Sequence, residues 1–330
     1  MISVENLFQA WNEFRKGKKK KPDVQKFERY LEDNLFCLYK SLWNKTYEHG
    51  KYQSFYVQDP KRRHIHKAQV KDRVVHHLLY TFLYQIFDKT FIYDSYSCRL
   101  NKGTHRGVDR LEIFIRKASK NYTGPCFVLK CDIKKFFASI DHQILTDLLR
   151  KKIPDQNTMW LLKQVINSFH SEQGLGKGIP LGNLTSQIFA NIYLDGLDQY
   201  VKHTLKVYYY LRYADDFLIL SSDKNHLLQL INQLEYFLRE KLRLKLHQNK
   251  VVIRSLNWGI DFLGYIVLPH YRLPRTKTKK RIFRKLKEKV HAETLEQSFQ
   301  SYLGYLKHAN SYKLAQELKN FVYLALDKHF

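Results

Sequence analysis

Asp215 and Asp216 are the residues of this chain best placed to do chemistry. They close the tetrapeptide Tyr213-Ala214-Asp215-Asp216, which stands between Tyr208-Tyr209-Tyr210-Leu211-Arg212 and Phe217-Leu218-Ile219-Leu220. Two apolar, β-prone runs around a short break predict a β-hairpin with the acids at its tip. Carboxylates held that close repel, and each raises the other's pKa unless a cation stands between them. A divalent metal removes the penalty, and Mg²⁺ prefers one or two carboxylates together with phosphate oxygens. The plainer reading is an Asp-Asp turn on a solvated hairpin, since four residues are a short motif.

A partner for these acids lies upstream. Phe127-Val128-Leu129-Lys130-Cys131-Asp132 reads as a buried strand ending in one acid, followed by Ile133-Lys134-Lys135 and the aromatic pair Phe136-Phe137. One acid on one strand and two on another is what phosphoryl transfer by two metals needs. One ion activates the attacking hydroxyl and the other holds the triphosphate and leaving pyrophosphate, with ~3.5–4 Å between them. Asp94 and Asp141 are further acids, read here as turn or helix-cap aspartates.

With these motifs in view, the chain resembles the reverse transcriptase family over nearly its whole length. Asp132 falls in the first palm motif and Tyr213–Asp216 is the second metal-binding motif. Gly178-Ile179-Pro180-Leu181-Gly182-Asn183-Leu184-Thr185-Ser186-Gln187 resembles the loop and helix that cover the nascent base pair. Asn249-Lys250 resembles the segment that brings a lysine to the leaving phosphate, and Phe262-Leu263-Gly264-Tyr265 the hairpin that grips the primer end. The stretches Arg63…Asp72-Arg73 and Phe91…Ser95-Tyr96 resemble bacterial and intron reverse transcriptases. The continuation Ser97–His105, Ser186-Gln187 where Ser-Pro is usual, and Ser301–Asn310 resemble the enzymes of diversity-generating retroelements, which copy a template RNA with errors at adenine.

The resemblance implies an RNA-directed DNA polymerase of α+β, right-hand architecture: fingers, a palm with an antiparallel sheet and a helical thumb. It implies catalytic roles for Asp132, Asp215, Asp216 and Lys250, and two Mg²⁺ ions, with Mn²⁺ as a substitute, at Asp132, Ile133, Asp215 and Asp216. Incoming dNTP is assigned to Arg63, Arg73, Phe136, Phe137, Leu181, Gly182 and Gln187, and the primer grip to Phe262, Leu263, Gly264 and Tyr265. Phe137 is where a ring blocks a ribose 2′-hydroxyl; its alternative is core packing, assigned more readily to Phe136. Surface ion pairing is the alternative for Arg63 and for Arg73, which adjoins Asp72. Leu181 stands where retroviral enzymes have glutamine, and leucine offers no hydrogen bond to sugar or base. Implied partners are template RNA, the RNA/cDNA duplex, dNTPs and a basic, oligomeric accessory protein. A retron-type or free-standing group II intron-like enzyme, an RNA polymerase, and an RNA-binding protein on a polymerase fold remain alternatives.

Composition points the same way. Among 330 residues, 57 Lys and Arg face 31 Asp and Glu, a net charge of +26, which suits a phosphate backbone. The 23 tyrosines and 21 phenylalanines offer stacking faces beside those cations. Cys37, Cys98, Cys126 and Cys131 form no C-x-x-C pair, so neither zinc nor a disulfide framework is expected. No apolar run reaches the ~18 residues of a membrane span and no signal peptide is visible, which points to the cytoplasm; the resemblance implies that of a prokaryotic cell or a phage-infected host. Arg15–Pro22 should break the first helix, as a solvated loop or a template contact.

The expected organisation is fingers over 1–124, palm over 125–141, fingers again over 142–178, palm over 179–268 and thumb over 269–330, with no further domain beyond it. Helical periodicity is read over Val24–Lys40, Val70–Phe87 and His142–Phe169. Three thumb helices follow from Ile282, Leu286 and Val290; Leu295, Phe299, Tyr302 and Leu306; and Leu314, Leu318, Phe321 and Ala325.

Overall fold

A computed structural model describes residues 1–58, 61–289 and 294–327 of the chain. The first helix, α1 (Val4–Arg15), is capped by Ser3, whose hydroxyl accepts from the Asn6 amide at 3.2 Å. Leu7, Ala10, Trp11 and Phe14 bury one stripe of it, the spacing of a single helix face. The basic run does end this helix, and Pro22 opens α2 (Pro22–Glu28). The helix expected over Val24–Lys40 is two, because the chain breaks at Arg29-Tyr30 before α3 (Leu31–Trp43). An antiparallel hairpin, β1 (Gln53–Val57) and β2 (Arg63–Lys67), leads into α4 (Val70–Phe87) and then α5 (Thr104–Ala118).

The centre of the fold is a four-stranded antiparallel sheet in the order β4-β5-β3-β6, built from β3 (Phe127–Asp132), β4 (Tyr210–Tyr213), β5 (Asp216–Ser221) and β6 (Val252–Ser255). Between β3 and β4 run α6 (Phe136–Ser139), α7 (His142–Arg150), α8 (Gln156–Asn167) and α9 (Leu184–Gln199); α10 (Lys224–Leu242) joins β5 to β6. Both faces of the sheet are covered, so its strands read as continuous apolar runs rather than alternating ones. Leu129, Cys131, Phe217 and Ile219 enter one large core shared with α1, α4 and α7–α10. Val128, Leu211, Leu218 and Leu220 enter a second core with α5. Cys131 is fully buried, a small core residue as expected.

The second core also takes in a three-stranded sheet, β7 (Ile260–Phe262), β8 (Tyr265–Val267) and β9 (Arg272–Pro274). The compositional shift at Pro269 therefore precedes a strand, and helix begins only at Thr276. Three helices follow, α11 (Thr276–Lys287), α12 (Leu295–Leu306) and α13 (Tyr312–Asp327), around their own core of Ile282, Leu286, Leu295, Phe299, Leu306, Leu318 and Val322. Val290 and the side chain of Ala325 lie outside the described residues. Among the described residues no helix is long and apolar enough to cross a membrane.

Candidate active site

The sheet register assembles the acids. Asp132, the last residue of β3, lies directly opposite Asp216, the first residue of β5. Directly opposed side chains in an antiparallel pair have Cβ atoms ~5 Å apart, and like charges there are destabilising. Tyr213 pairs with Asp216 across β4 and β5, so Ala214 and Asp215 form a two-residue hairpin turn. Ala214 has φ +52°, a left-handed conformation at the first turn position that is strained for a residue with a Cβ. Asp215 thus stands at the tip, as the hairpin pattern predicts, and its carbonyl accepts from the Ile133 amide at 3.3 Å. The Ile133 side chain is buried in the core, so only its main chain can face an ion.

Two lysines neutralise part of this charge. Lys250 Nζ lies 2.7 Å from Asp132 Oδ1, and Lys130 Nζ lies 3.3 Å from Asp216 Oδ2. Lys250 is delivered by the single turn Gln248–Lys250, pinned where the His247 amide donates to the Asp132 carbonyl at 2.8 Å. Lys130 shares a strand face with Asp132 and also donates to the Asp261 carbonyl at 2.8 Å. Burial raises the Asp215 carboxyl, Asp132 raises it further, and Lys250 and Arg63 oppose them. Burial also pushes Asp216 up to about 6, against Lys130 and with help from Asp132 and Asp215. Asp216 Oδ1 is buried with no hydrogen-bond donor. An acceptor in that state costs ~1–3 kcal/mol and fits a site that takes a cation. As they stand, the acids are drawn to lysines, and no three acid, histidine or cysteine side chains among the described residues form a ready metal cage.

Asp132, Asp216, Asn249 and Lys250 line a cavity of ≈ 380 Å³ together with Lys61 and Arg275. Arg63, at the start of β2, is exposed, yet its charge is felt at Asp215. Arg73 is committed elsewhere: its guanidinium pairs with Asp23, which also takes Lys67 at 2.7 Å, and lies over the Phe14 ring. The neighbouring acid, Asp72, is instead buried against the Tyr47 hydroxyl at 2.8 Å and the Gly50 amide at 3.2 Å. Asp94 pairs with Arg110 at 2.8 Å, and Asp141 caps α7, in keeping with their structural reading.

Phe136 is buried in the core, and Phe137, half-buried, packs against the same core. The loop before α9 docks on the β1–β2 hairpin. The His66 amide donates to the Leu181 carbonyl at 2.9 Å, and the Asn183 side-chain amide donates to the His66 carbonyl at 2.8 Å. Gly182 sits at φ +108° with a would-be Cβ 2.7 Å from Ile65 Cγ2, so only glycine fits. Gln187 is exposed on the first turn of α9. Farther along the chain, Phe262 and Tyr265 pair across a two-residue turn whose residues, Leu263 and Gly264, both have positive φ, the requirement of a type I′ hairpin. Tyr305 of α12 clasps this hairpin: its hydroxyl donates to the Gly264 carbonyl at 2.7 Å and its ring stacks on Tyr265 at 4.8 Å.

Lys130, Asn183 and the buried Arg212 were not singled out from sequence. Lys130 was within reach, because strand alternation puts it on the face of Asp132. A lone arginine inside the apolar run Tyr208–Leu220 was likewise a visible anomaly.

Comparison with known proteins agrees with this geometry. A family model described as "Reverse transcriptase (RNA-dependent DNA polymerase)" matches residues 57–267, more than half of the chain. Protein YkfC of Escherichia coli is 25% identical over 232 residues, covering 59% of this chain and 60% of YkfC. Group II intron-encoded protein LtrA of Lactococcus lactis is 22% identical over 321 residues, covering 76% of this chain and 52% of LtrA. The chain thus spans less than two thirds of either relative. Telomerase from Candida tropicalis superposes with a TM-score of 0.55 at 12% identity, over 85% of this chain and 58% of that one. Telomerase from Candida albicans, in complex with a fragment of telomeric RNA, gives 0.52 at 12% identity, over 90% and 64%. These likenesses identify the α+β right-hand polymerase fold, and the family match places the chain in the reverse transcriptase family.

Proposed function

We propose that the chain is an RNA-directed DNA polymerase that extends a primer 3′-hydroxyl with dNTPs along an RNA template. The observation that carries this reading is the β3–β5 register, which sets Asp132 against Asp216 beside Asp215, with one carboxylate oxygen buried and undonated. Asp132, Asp215, Asp216 and the main chain of Ile133 would hold two divalent ions, Mg²⁺ with Mn²⁺ as a substitute. When bound, such ions activate the 3′-hydroxyl and neutralise charge on the leaving pyrophosphate. In this reading Lys250 exchanges its contact with Asp132 for the leaving phosphate, and Arg63 meets the triphosphate from the fingers hairpin. Phe137 excludes a 2′-hydroxyl, Gly182 and Gln187 border the nascent pair, and Phe262–Tyr265 hold the primer end.

Primer extension with Asp215→Asn tests this: incorporation is lost while RNA affinity stays within about twofold, because ion binding rather than charge attraction is removed. Unchanged extension by that variant sinks the polymerase reading.

We infer further that synthesis is error-prone and of the diversity-generating kind, on the strength of Leu181, Ser186-Gln187 and Ser97–His105, with a basic accessory protein choosing the template. A second reading, an intron-type enzyme, is favoured by the similarity to LtrA. Sequencing cDNA from a defined RNA separates them: errors gathered at template adenines support the first, and evenly sparse errors the second.

A further inference from the structure

Arg212 and Asp198 are both fully buried and form a bidentate pair, with Nε to Oδ1 at 2.7 Å and Nη2 to Oδ2 at 2.6 Å. The Tyr210 hydroxyl donates to Asp198 Oδ1 at 2.6 Å, which completes that side of the carboxylate. Stability alone does not call for such a pair. Desolvating two charges offsets most of their attraction, and well-packed apolar residues of similar volume often do as well.

The remaining nitrogen does what no apolar residue could. Arg212 Nη1 donates to the Ala214 carbonyl at 3.1 Å and to Asn191 Oδ1 at 3.3 Å. Ala214 is the turn residue with φ +52°, and its carbonyl opens the peptide that leads into Asp215. A strained turn keeps its shape only where its surroundings over-determine it. Asp198 and Asn191 both belong to α9, and the Asn191 amide is in turn fixed on the Ser97 carbonyl at 2.9 Å. The Arg212 main chain is held as well, donating to the Asp94 carbonyl and accepting from the Tyr96 amide, both at 2.9 Å. A rigid helix and a buried loop therefore reach the tip of the hairpin through one guanidinium.

We infer that the buried Asp198–Arg212 pair is a positioning device, which holds the Ala214-Asp215 turn so that Asp215 and Asp216 face Asp132 at the spacing an ion requires. Neither residue touches substrate. The inference rests on the polymerase reading of the acids and adds the group that aims them.

The test uses the full chain with Asp198→Leu and Arg212→Met together, which removes both charges so that neither is left buried and unpaired. Expected are unchanged circular dichroism and RNA affinity, with Mn²⁺ affinity by electron paramagnetic resonance down by about 10–100-fold, the range for residues that orient metal ligands. The kcat of primer extension falls by a similar factor while the KM for dNTP stays put, and raising Mn²⁺ restores part of the rate. A folded double variant with wild-type Mn²⁺ affinity and kcat overturns the inference and leaves the pair as core packing. Should the double variant not fold, Arg212→Lys decides, because one ammonium cannot span both Asp198 and the Ala214 carbonyl: undiminished Mn²⁺ affinity in that protein also overturns it. The Mn²⁺ measurement is independent of catalysis. A wild-type chain that binds Mn²⁺ yet incorporates no dNTP would count against the polymerase reading and leave this inference to be judged on affinity.

Discussion

Asp216→Asn should make the metal-free protein more stable while destroying its activity. Asp216 lies opposite Asp132 and next to Asp215, and burial with those two charges pushes its carboxyl from 3.8 to about 6. At ~1.36 kcal/mol per unit, that displacement is about 3 kcal/mol of preference for the neutral form in the folded state. Because the folded value lies above the unfolded one, the stability tied to this group is present at low pH. It is lost as pH rises from about 4 through about 6, and the loss is complete above that. An asparagine is neutral throughout but keeps a buried, undonated oxygen and gives up the Lys130 contact. The expected net gain is roughly 1–2 kcal/mol at pH 7.5; the ionisation contribution falls by about half at pH 5, which leaves the net gain there near zero. Urea denaturation in chelator at the two pH values measures it. Adding Mn²⁺ should then raise the wild-type midpoint, by about 1.4 kcal/mol at ten times Kd, and the variant's much less. A variant less stable than wild type in chelator at pH 7.5 would refute the argument that the acids are held together against their own repulsion.

Three further outcomes follow from the same geometry. Leu181→Gln adds a hydrogen-bonding group to the loop proposed to border the nascent pair. At ~0.5–1.5 kcal/mol per contact, misincorporation should fall by a few-fold to about tenfold, and an unchanged error spectrum would remove Leu181 from fidelity. Gly182→Ala places a methyl 2.7 Å from Ile65 Cγ2 at φ +108° and should raise the KM for dNTP several-fold without changing duplex affinity; a wild-type KM would mean the loop does not border the nucleotide. With a net charge of +26, RNA affinity should fall linearly in log K against log salt, and filter binding from 50 to 400 mM salt would expose a flat response as evidence against a basic RNA track.

The sequence alone determined the parts of this protein that rest on local rules. An apolar run, a two-residue break and a second run specify a hairpin, so Asp215 and Asp216 could be set at a tip, and α4 could be bounded at Val70–Phe87, from pattern alone. Helical spacing likewise showed the three terminal helices and most of their described core residues, though not Val322. Tertiary structure decided which charges meet. Lys250 reaches Asp132 across 118 positions, Arg73 finds Asp23 rather than its neighbour Asp72, and Arg212 finds Asp198 on a different element. Ion pairs of that kind depend on strand register and helix docking, which many distant contacts fix together and no short window encodes. The same holds for β9, which exists because β8 offers an edge, and for the break between α2 and α3, where α2 packs on α4, α3 packs on α1 and the two pack on each other. Type and spacing singled out the candidate acids; the long-range fold chose which groups meet them, balance their charge and leave one oxygen open.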